Sequence, residues 1–315
     1  MPILELLKIF GAGIILVASS NFLVRALVKV SRYAKLSEFA ISFVLLAFAT
    51  SLPEVFVGIT SAIKGLPELS YSVAIGSNIV NLTFILGVTV IFAKGISVKG
   101  ILQKSDGTYV SIVTLLILLL SADGHISRPD GAILLAAYGW YVITLIRHRQ
   151  YHRNNSQEIS AKSFVFNLII ALLSVGGLLL SADILVDNTI VIAQSMGISV
   201  VLIGFILIAA GTSFPELVFE LIAIKKHHKN LALGDLMGSV VTNGALVIGI
   251  SAIIQPLFFQ DMGVINTSFI FLVIILILFN IFLHTKKELS RWEGIVLVLI
   301  YFAYLATEYH LHPHI

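Results

Sequence analysis

The stretch from Ala47 to Asn81 decides the fold, because it holds the segments AFATSLPEVFVGIT (residues 47–60) and SVAIGSNIVN (residues 72–81). Each segment places hydroxyl, amide or carboxylate side chains in a sequence that is otherwise apolar enough to lie in lipid. An acid in the middle of a transmembrane helix costs about 2.5 to 3.5 kcal/mol on insertion scales. Polar residues at that depth are therefore interpreted first as functional.

The same pattern returns 162 positions later in the chain. Without a gap, this offset aligns residues of the first segment with equivalent residues in the second half: Ala47, Thr50, Ser51, Pro53 and Glu54 with Ala209, Thr212, Ser213, Pro215 and Glu216. It also aligns residues of the other segment: Gly76, Ser77 and Asn81 with Gly238, Ser239 and Asn243. The chain is interpreted as a tandem duplication whose best-kept residues are polar.

Composition places the chain among polytopic membrane proteins. Its 315 residues are 58% hydrophobic and 12% charged, with a mean hydropathy of +1.01. A soluble domain carries about twice that share of charge. The lack of cysteine excludes disulfides, thiolate metal sites and cysteine nucleophiles. The net charge of +3 comes from basic residues in short loops, and the sequence contains no pattern typical of nucleic-acid binding.

Apolar runs of roughly 17 residues or more can cross the hydrocarbon core as helices. Ten such spans are predicted, five in each half: near residues 3–24, 39–63, 70–93, 107–122, 131–146, 163–183, 189–224, 231–255, 265–284 and 292–309. The run at 189–224 is predicted to break around residues 195–197 and to hold one span. Because residues 3–24 align with 165–186, the first run is interpreted as part of the fold and not as a signal peptide.

Lysine and arginine concentrate in alternate loops, and the positive-inside rule assigns these loops to the cytoplasm. Both termini are then predicted to lie outside. Because five is an odd number of crossings, the second half enters from the opposite face, so the halves are inverted, as in secondary transporters. The predicted fold is an all-α polytopic membrane protein of two inverted five-helix repeats. The first half covers residues 1–146, a cytoplasmic loop covers 147–162, and the second half covers 163–315.

The repeated residues form an all-oxygen set. In a helix, four residues of the first copy lie on one face with the spacing i, i+3, i+4 and i+7: Ala47, Thr50, Ser51 and Glu54. Pro53 has no N–H for the carbonyl of Ala49, so it is predicted to open the helix and free backbone oxygens, and Pro215 repeats this. Hard cations such as Ca²⁺ and Na⁺ prefer such ligands. Zinc, copper and nickel are less suited, because no His or Cys joins these residues.

Other interpretations of the same residues remain open. An isolated Ser, Thr or Asn in a membrane helix often bonds a nearby carbonyl or helix, and a proline alone often marks a kink. Paired glutamates also suit a proton-coupled exchanger, and a cation channel would use the same oxygens. An intramembrane hydrolase is disfavoured, because Ser51 and Glu54 have no His or Lys between them to act as a base. The prediction is a transporter without a cofactor, not an enzyme.

At these residues the chain resembles the sodium/calcium exchanger family of the calcium/cation antiporter superfamily, in its prokaryotic form. That family carries a G-T-S-x-P-E core followed by G-S-N-x-x-N/D in each repeat. Here the first repeat reads ATSLPE and GSNIVN, and the second reads GTSFPE and GSVVTN. The resemblance implies an antiporter in the cell (inner or plasma) membrane that exchanges Na⁺ for Ca²⁺ by alternating access. Its implied partners are Ca²⁺, Na⁺ and the lipid bilayer, with H⁺ as the alternative coupling ion and with no obligatory protein partner.

The resemblance also implies a role for each repeated residue. One Ca²⁺ would be held by the side chains of Glu54 and Glu216 and the carbonyls of Thr50 and Thr212. One flanking Na⁺ site would use Ala47, Ser51, Glu216 and Ser239. The other Na⁺ site would use Ala209, Ser213, Glu54 and Ser77. Asn81 and Asn243 would complete the central position, while the helices at 3–24 and 163–183 would slide to expose the ions to either side.

Three departures from the family pattern lie in the second half. Asn243 stands where several family members have Asp, which leaves the Na⁺ stoichiometry and the choice between Na⁺ and H⁺ open. Val240 and Thr242 replace the usual residues of the second motif. Asp235 aligns with Val73, so it has no acidic partner in the first half. It is interpreted as a ligand at the cytoplasmic mouth, as a partly restored third charge, or as a mouth residue bonded to water.

Overall fold

The computed structural model describes residues 3–33, 48, 50–97, 104–148, 161–227, 229–259, 262–285 and 288–311. These residues are almost entirely helical. The helices of the first half are α1 (Ile3–Tyr33), α2 (Leu52–Ile63), α3 (Pro67–Val80), α4 (Leu86–Phe92), α5 (Lys104–Leu120) and α6 (Arg128–His148). The helices of the second half are α7 (Ala161–Met196), α8 (Val200–Ile203), α9 (Ala209–Thr212), α10 (Phe214–Lys225), α11 (Lys229–Val241), α12 (Ile248–Ile254), α13 (Met262–Thr285) and α14 (Arg291–Leu311).

Among the described residues, three π-helical segments join consecutive helices into longer continuous helices. Asn81–Ile85 joins α3 to α4, Gly204–Ile208 joins α8 to α9, and Thr242–Val247 joins α11 to α12. A π-helical turn contains an extra residue, which redirects side chains locally, and such turns are frequent at functional sites. The helices that contain these segments are therefore candidates to carry functional polar side chains.

Four two-residue strands connect loops of the two halves. They are β1 (Ile96–Ser97), β2 (His125–Ile126), β3 (Leu257–Phe258) and β4 (Glu288–Leu289). β1 pairs antiparallel with β4, and β2 pairs antiparallel with β3. Each pairing ties a loop of the first half to a loop of the second half.

Several helical stretches are long and apolar enough to cross a membrane. Six such stretches occur among the described residues: Leu4–Leu23, Pro67–Phe92, Lys162–Met196, Val200–Lys225, Ala232–Ile254 and Met262–Phe282. The shorter apolar helices Leu52–Ile63 and Tyr109–Leu120 coincide with two further predicted spans. Large apolar side chains such as Phe10 and Leu173 are exposed, as expected of surfaces that face lipid. The chain is a multi-pass membrane protein.

Helices α1 and α7 pack along each other and form the α1/α7 unit. Gly177 of α7 lies against Ser19 of α1, so the two helices approach closely there. Buried residues of α1 and α7 share one apolar cluster with residues of α2, α3, α8 and the Gly204–Ile208 segment. A second, larger cluster contains most of α3 and buried residues of α4 to α6 and α10 to α14. The α1/α7 unit therefore packs against a different apolar cluster from the one that contains most of the other helices.

Both helices of this pair extend beyond the predicted spans. The predicted span at 3–24 agrees with the apolar stretch Leu4–Leu23, although α1 itself continues to Tyr33. The end predicted at residue 183 is wrong, because α7 and its apolar stretch continue to Met196. Polar and charged residues lowered the hydropathy there, but neither extension contains Gly or Pro to stop a helix. The predicted break at 195–197 is confirmed: α7 ends at Met196, and Gly197 has a φ of 64°. Of the predicted loop at 147–162, residues 149–160 lie outside the described residues.

Candidate metal centre

Two interrupted helices position the repeated carboxylates. Ser51 (φ −82°, ψ 3°) directly precedes α2, and Ser213 (φ −81°, ψ 3°) directly precedes α10. The two halves thus share one backbone conformation at equivalent positions. The helix opening predicted at Pro215 is confirmed as a new helix start, since α9 ends at Thr212 and α10 begins one residue after Ser213. Proline is tolerated in a first helical turn because the N–H of that turn has no intrahelical partner.

Glu54 and Glu216 lie in the first turns of α2 and α10, and both are fully buried. The positive end of a helix dipole favours a carboxylate at that place. Oε1 of Glu54 accepts a hydrogen bond from Ser77 at 3.2 Å. The Oε2 atom of Glu54 and both carboxylate oxygens of Glu216 have no hydrogen-bond partner within the described ranges.

Hydroxyl groups connect the two halves at this level. Ser77 and Thr212 lie 3.4 Å apart between their side-chain oxygens. Ser239 and Thr50 lie 3.1 Å apart in the same way. The two pairs are equivalent, because the offset of 162 aligns Thr50 with Thr212 and Ser77 with Ser239. Thr50 also donates to Oδ1 of Asp235 at 3.3 Å, so the acid that has no repeat partner belongs to the same polar region.

One contact joins a residue to its own counterpart in the other half. The side-chain amide of Asn78 donates to the carbonyl oxygen of Val240 at 3.1 Å, across a separation of 162 residues. This contact places the equivalent helices α3 and α11 next to each other at the boundary between the two halves. The replacement of asparagine by Val240 leaves this contact intact, because the partner of Asn78 is a backbone carbonyl that any residue supplies.

Two asparagines and two serines supply further buried oxygens. Asn81 begins the Asn81–Ile85 segment and Asn243 is the second residue of Thr242–Val247. The amide groups of Asn81 and Asn243 and the Oγ atoms of Ser51 and Ser213 are buried without a hydrogen-bond partner in the described part of the chain. An unpaired polar group in an apolar interior is costly. Such oxygens are suited to bind a cation.

Close helix packing brings the two halves together around these groups. Gly76 of α3 faces the Gly204–Ile208 segment, where an added Cβ would lie 2.6 Å from the carbonyl oxygen of Phe205 and 2.8 Å from Cβ of Ala209. The absence of a side chain at Gly76 therefore allows this close approach. It sets Ala209, a predicted Na⁺ ligand through its carbonyl, against the helix that carries Ser77.

Every predicted ligand among the described residues is buried. Hydrogen bonds or short oxygen contacts join Glu54, Ser77 and Thr212 in one group and Thr50 and Ser239 in another. Ala47 lies outside the described residues. Within the described ranges, no three His, Cys, Asp or Glu side chains form a metal-binding group. A cation here would take two carboxylates and would draw its other ligands from neutral oxygens.

Sequence comparison of the halves missed one acid. Glu220 is fully buried in α10, and its Oε2 accepts a hydrogen bond from Thr89 at 2.7 Å. Glu220 aligns with Gly58, so a comparison of the two halves does not select it as a repeated polar residue. An acid in the apolar run VFELIAI, one turn after Glu216, was the available signal.

Comparison with known proteins gives a family match along both halves. The family model described as "Sodium/calcium exchanger protein" matches residues 5–147 and 166–309. Sodium/calcium exchanger MaX1 of Methanosarcina acetivorans is 26% identical over 344 residues, covering 95% of this chain and 96% of the relative.

Two solved structures resemble the chain over nearly its full length. The structure of the sodium-calcium exchanger NCX_Mj, soaked with Na⁺ and Sr²⁺, is 28% identical, with a TM-score of 0.67 over 98% of this chain and 99% of that chain. The H⁺/Ca²⁺ exchanger CAX has a TM-score of 0.80 at 17% identity, over 96% of this chain and 82% of that chain. At that identity the second likeness concerns the fold alone.

Proposed function

Because the chain belongs to the sodium/calcium exchanger protein family, whose members are membrane antiporters and not enzymes, we propose that it exchanges Na⁺ for Ca²⁺ across the cell membrane. One observation carries the proposal. Three of the four carboxylate oxygens of Glu54 and Glu216 are buried without a hydrogen-bond partner among the described residues. The ion pairs of the described chain involve neither glutamate. Two buried carboxylates in this state need a cation or a proton.

The proposed Ca²⁺ site uses both glutamates and the carbonyls of Thr50 and Thr212. Its two negative charges neutralise one Ca²⁺, which takes 6 to 8 oxygen ligands in proteins. One flanking Na⁺ site takes Ala47, Ser51, Glu216 and Ser239. The other takes Ala209, Ser213, Glu54 and Ser77. Asn81 and Asn243 complete the centre, and Na⁺ and Ca²⁺ compete because both kinds of site share the glutamates.

We further propose ten membrane spans in two inverted repeats, residues 1–146 and 163–315, joined by a cytoplasmic loop at 147–162. Both termini then lie outside. The paired Ser–Thr contacts and the bond from Asn78 to Val240 support this arrangement, since the offset of 162 relates each to an equivalent. Matching ligands meet at mid-depth in such a fold, where alternating access needs them.

In the proposed cycle, the α1/α7 unit slides across the remaining helices, and the ion sites become accessible from one side of the membrane and then from the other. Close packing of α1 against α7, with an apolar contact surface towards α2 and α3, supports motion of the two helices as one body. Lys64, which follows α2, tethers α7 through ion pairs to Asp183 at 2.6 Å and Asp187 at 2.5 Å. Partial burial acts to lower the pKa of the Lys64 ammonium, but hydrogen bonds to these two acids outweigh it and raise the pKa. The tether is therefore charged at neutral pH.

Replacing Lys64 with alanine is expected to shift the balance between conformations away from the one described. A solvent-exposed ion pair contributes about 0.2 to 1 kcal/mol, so the population ratio changes by about 1.5- to 5-fold. The chain has no cysteine, so spin labels on cysteines introduced at Met196 and Ile253 report the distance between α7 and α12. Lys225→Ala is the matched control. An unchanged distance distribution in Lys64→Ala would contradict the tether.

Proton-coupled Ca²⁺ exchange is the second candidate. Two observations favour it: Asn243 supplies no third acid for Na⁺, and the additional buried carboxylates of Glu220 and Asp235 could carry protons. Na⁺ and H⁺ coupling use the same fold and the same central glutamates, so only an ion-dependence measurement separates them.

Equilibrium binding tests whether Na⁺ and Ca²⁺ share the centre. Purified protein is incubated with ⁴⁵Ca²⁺ at fixed pH while NaCl or choline chloride is raised to the same concentration. Na⁺ is expected to displace bound Ca²⁺ with a Hill coefficient above about 1, because more than one Na⁺ competes for the shared glutamates. Equal displacement by Na⁺ and choline would overturn the Na⁺ sites.

A further inference from the structure

Two buried acids lie outside the central ligand set, Glu220 in α10 and Asp235 in α11. Their side chains are 0% and 1% exposed. A threonine of the first half fixes one oxygen of each: Thr89 donates to Oε2 of Glu220 at 2.7 Å, and Thr50 donates to Oδ1 of Asp235 at 3.3 Å. The other oxygens, Oε1 of Glu220 and Oδ2 of Asp235, are buried without a hydrogen-bond partner in the described part of the chain. Each acid is oriented and still has a ligand position free.

Both acids lie at the same depth, towards the basic ends of their helices. Glu220 precedes Lys225 by five residues, and Asp235 follows Lys229 by six. At a rise of 1.5 Å per residue, these separations are about 7 to 9 Å along the helix. The Lys229 ammonium donates to backbone carbonyls of the loop after α4. On the proposed orientation, the acids lie between the cytoplasm and the central glutamates.

Among the described residues, no basic side chain forms an ion pair with either acid. Helices α10 and α11 pack against each other, and both acids are buried inside the molecule. Two buried carboxylates without a counter-charge favour a cation beside them.

The equivalent position in the first half carries no acidic side chain and is occupied by neighbouring side chains. The offset of 162 pairs Glu220 with Gly58, Asp235 with Val73, and Thr89 with Ser251. Ser251 donates to the carbonyl of Gly58 at 3.3 Å and shares a hydrogen bond of 2.5 Å with Ser70. An added Cβ on Gly58 would lie 2.6 Å from a methyl group of Val247. The acid pair therefore distinguishes one side of the molecule from the other.

We propose that Glu220 and Asp235 form an inner cation site, with the hydroxyl groups of Thr89 and Thr50, that holds Ca²⁺ between the cytoplasm and the centre. Two carboxylates neutralise one divalent cation, and carboxylate and hydroxyl oxygens are hard ligands of the kind that Ca²⁺ takes. This inference rests on the proposed antiport function. It adds a second Ca²⁺ site and makes the cytoplasmic path chemically different from the outer one.

The test removes the central carboxylates first. ⁴⁵Ca²⁺ binding to the purified full chain is measured by scintillation proximity in the double variant Glu54→Gln/Glu216→Gln, and again after adding Glu220→Gln. The double variant is expected to keep one weaker Ca²⁺ site. Adding Glu220→Gln is expected to weaken that residual binding by about tenfold or more, since it removes one of two charged ligands.

Glu308→Gln in the same double variant is the matched control. Glu308 is also a fully buried acid, but it lies in α14 next to Ser268. Equal thermal melting of the two triple variants shows that both fold. The inner site is overturned if the double variant binds no Ca²⁺, or if Glu220→Gln and Glu308→Gln leave equal binding. Neither result touches the proposed exchange, which Na⁺ displacement in the unmodified chain tests separately.

Discussion

Glu54→Gln and Glu216→Gln are each expected to abolish Ca²⁺ transport while leaving the fold intact. Glutamine keeps the shape of the side chain and removes its charge, so the central cation loses half of the negative charge that faces it. Removing one partner of a buried charge pair costs about 3 to 5 kcal/mol. At 1.4 kcal/mol for each factor of ten, transport at a limiting Ca²⁺ concentration is expected to fall by about 100-fold or more.

⁴⁵Ca²⁺ uptake into proteoliposomes with equal amounts of incorporated protein measures this effect. Glu308→Gln serves as the control, because it removes a buried charge at a place where no central ligand lies. The melting temperature of each variant is expected to equal or exceed that of the parent, since the exchange removes a buried negative charge that forms no ion pair among the described residues. Uptake at the parental rate in either central variant would rule out the proposed centre.

Gly76→Ala is expected to disturb the same centre through packing. Its Cβ would meet the carbonyl oxygen of Phe205 at 2.6 Å, and a backbone atom cannot rotate away as a side chain can. Forcing extra volume into a well-packed interior costs about 1 to 3 kcal/mol. Transport is also expected to fall, because the displaced helix carries Ser77 and the displaced neighbour carries Ala209.

Gly13→Ala is the matched control for this substitution. Gly13 has no atom within 4 Å of the place where its Cβ would be. Alanine there is expected to stabilise α1 slightly, since glycine inside a helix is less favourable than alanine by about 0.5 to 1 kcal/mol. Far-ultraviolet circular dichroism during heating measures both variants in detergent. A melting temperature for Gly76→Ala equal to that of Gly13→Ala would contradict the close approach.

Many of the helix positions could be predicted, because a membrane span requires a long apolar run in the sequence. The helix ends were harder, as α1 and α7 show. Hydropathy falls where a helix leaves lipid, whereas a helix ends only where its backbone is interrupted, as at Gly197. The π-helical segments could not be predicted, since an extra residue in a helical turn leaves no mark in local composition.

The repeat predicted the central ligands because duplication preserved polar residues at equal spacing. It could not reveal residues that only one half carries. Glu220 went unnoticed because its counterpart is Gly58, and the bond from Asn78 to Val240 depends on a crossing of helices that spacing alone does not specify. Symmetry in the sequence thus identified the shared centre, and the structure was needed for the features in which the halves differ.

The most direct test of Na⁺/Ca²⁺ exchange is ⁴⁵Ca²⁺ uptake into proteoliposomes loaded with Na⁺ or with choline at equal pH, with and without an imposed pH gradient. Uptake is expected to require internal Na⁺ and to persist when the pH gradient is removed. Uptake that follows the pH gradient and ignores Na⁺ would contradict the proposal, and would assign the same glutamates to proton exchange.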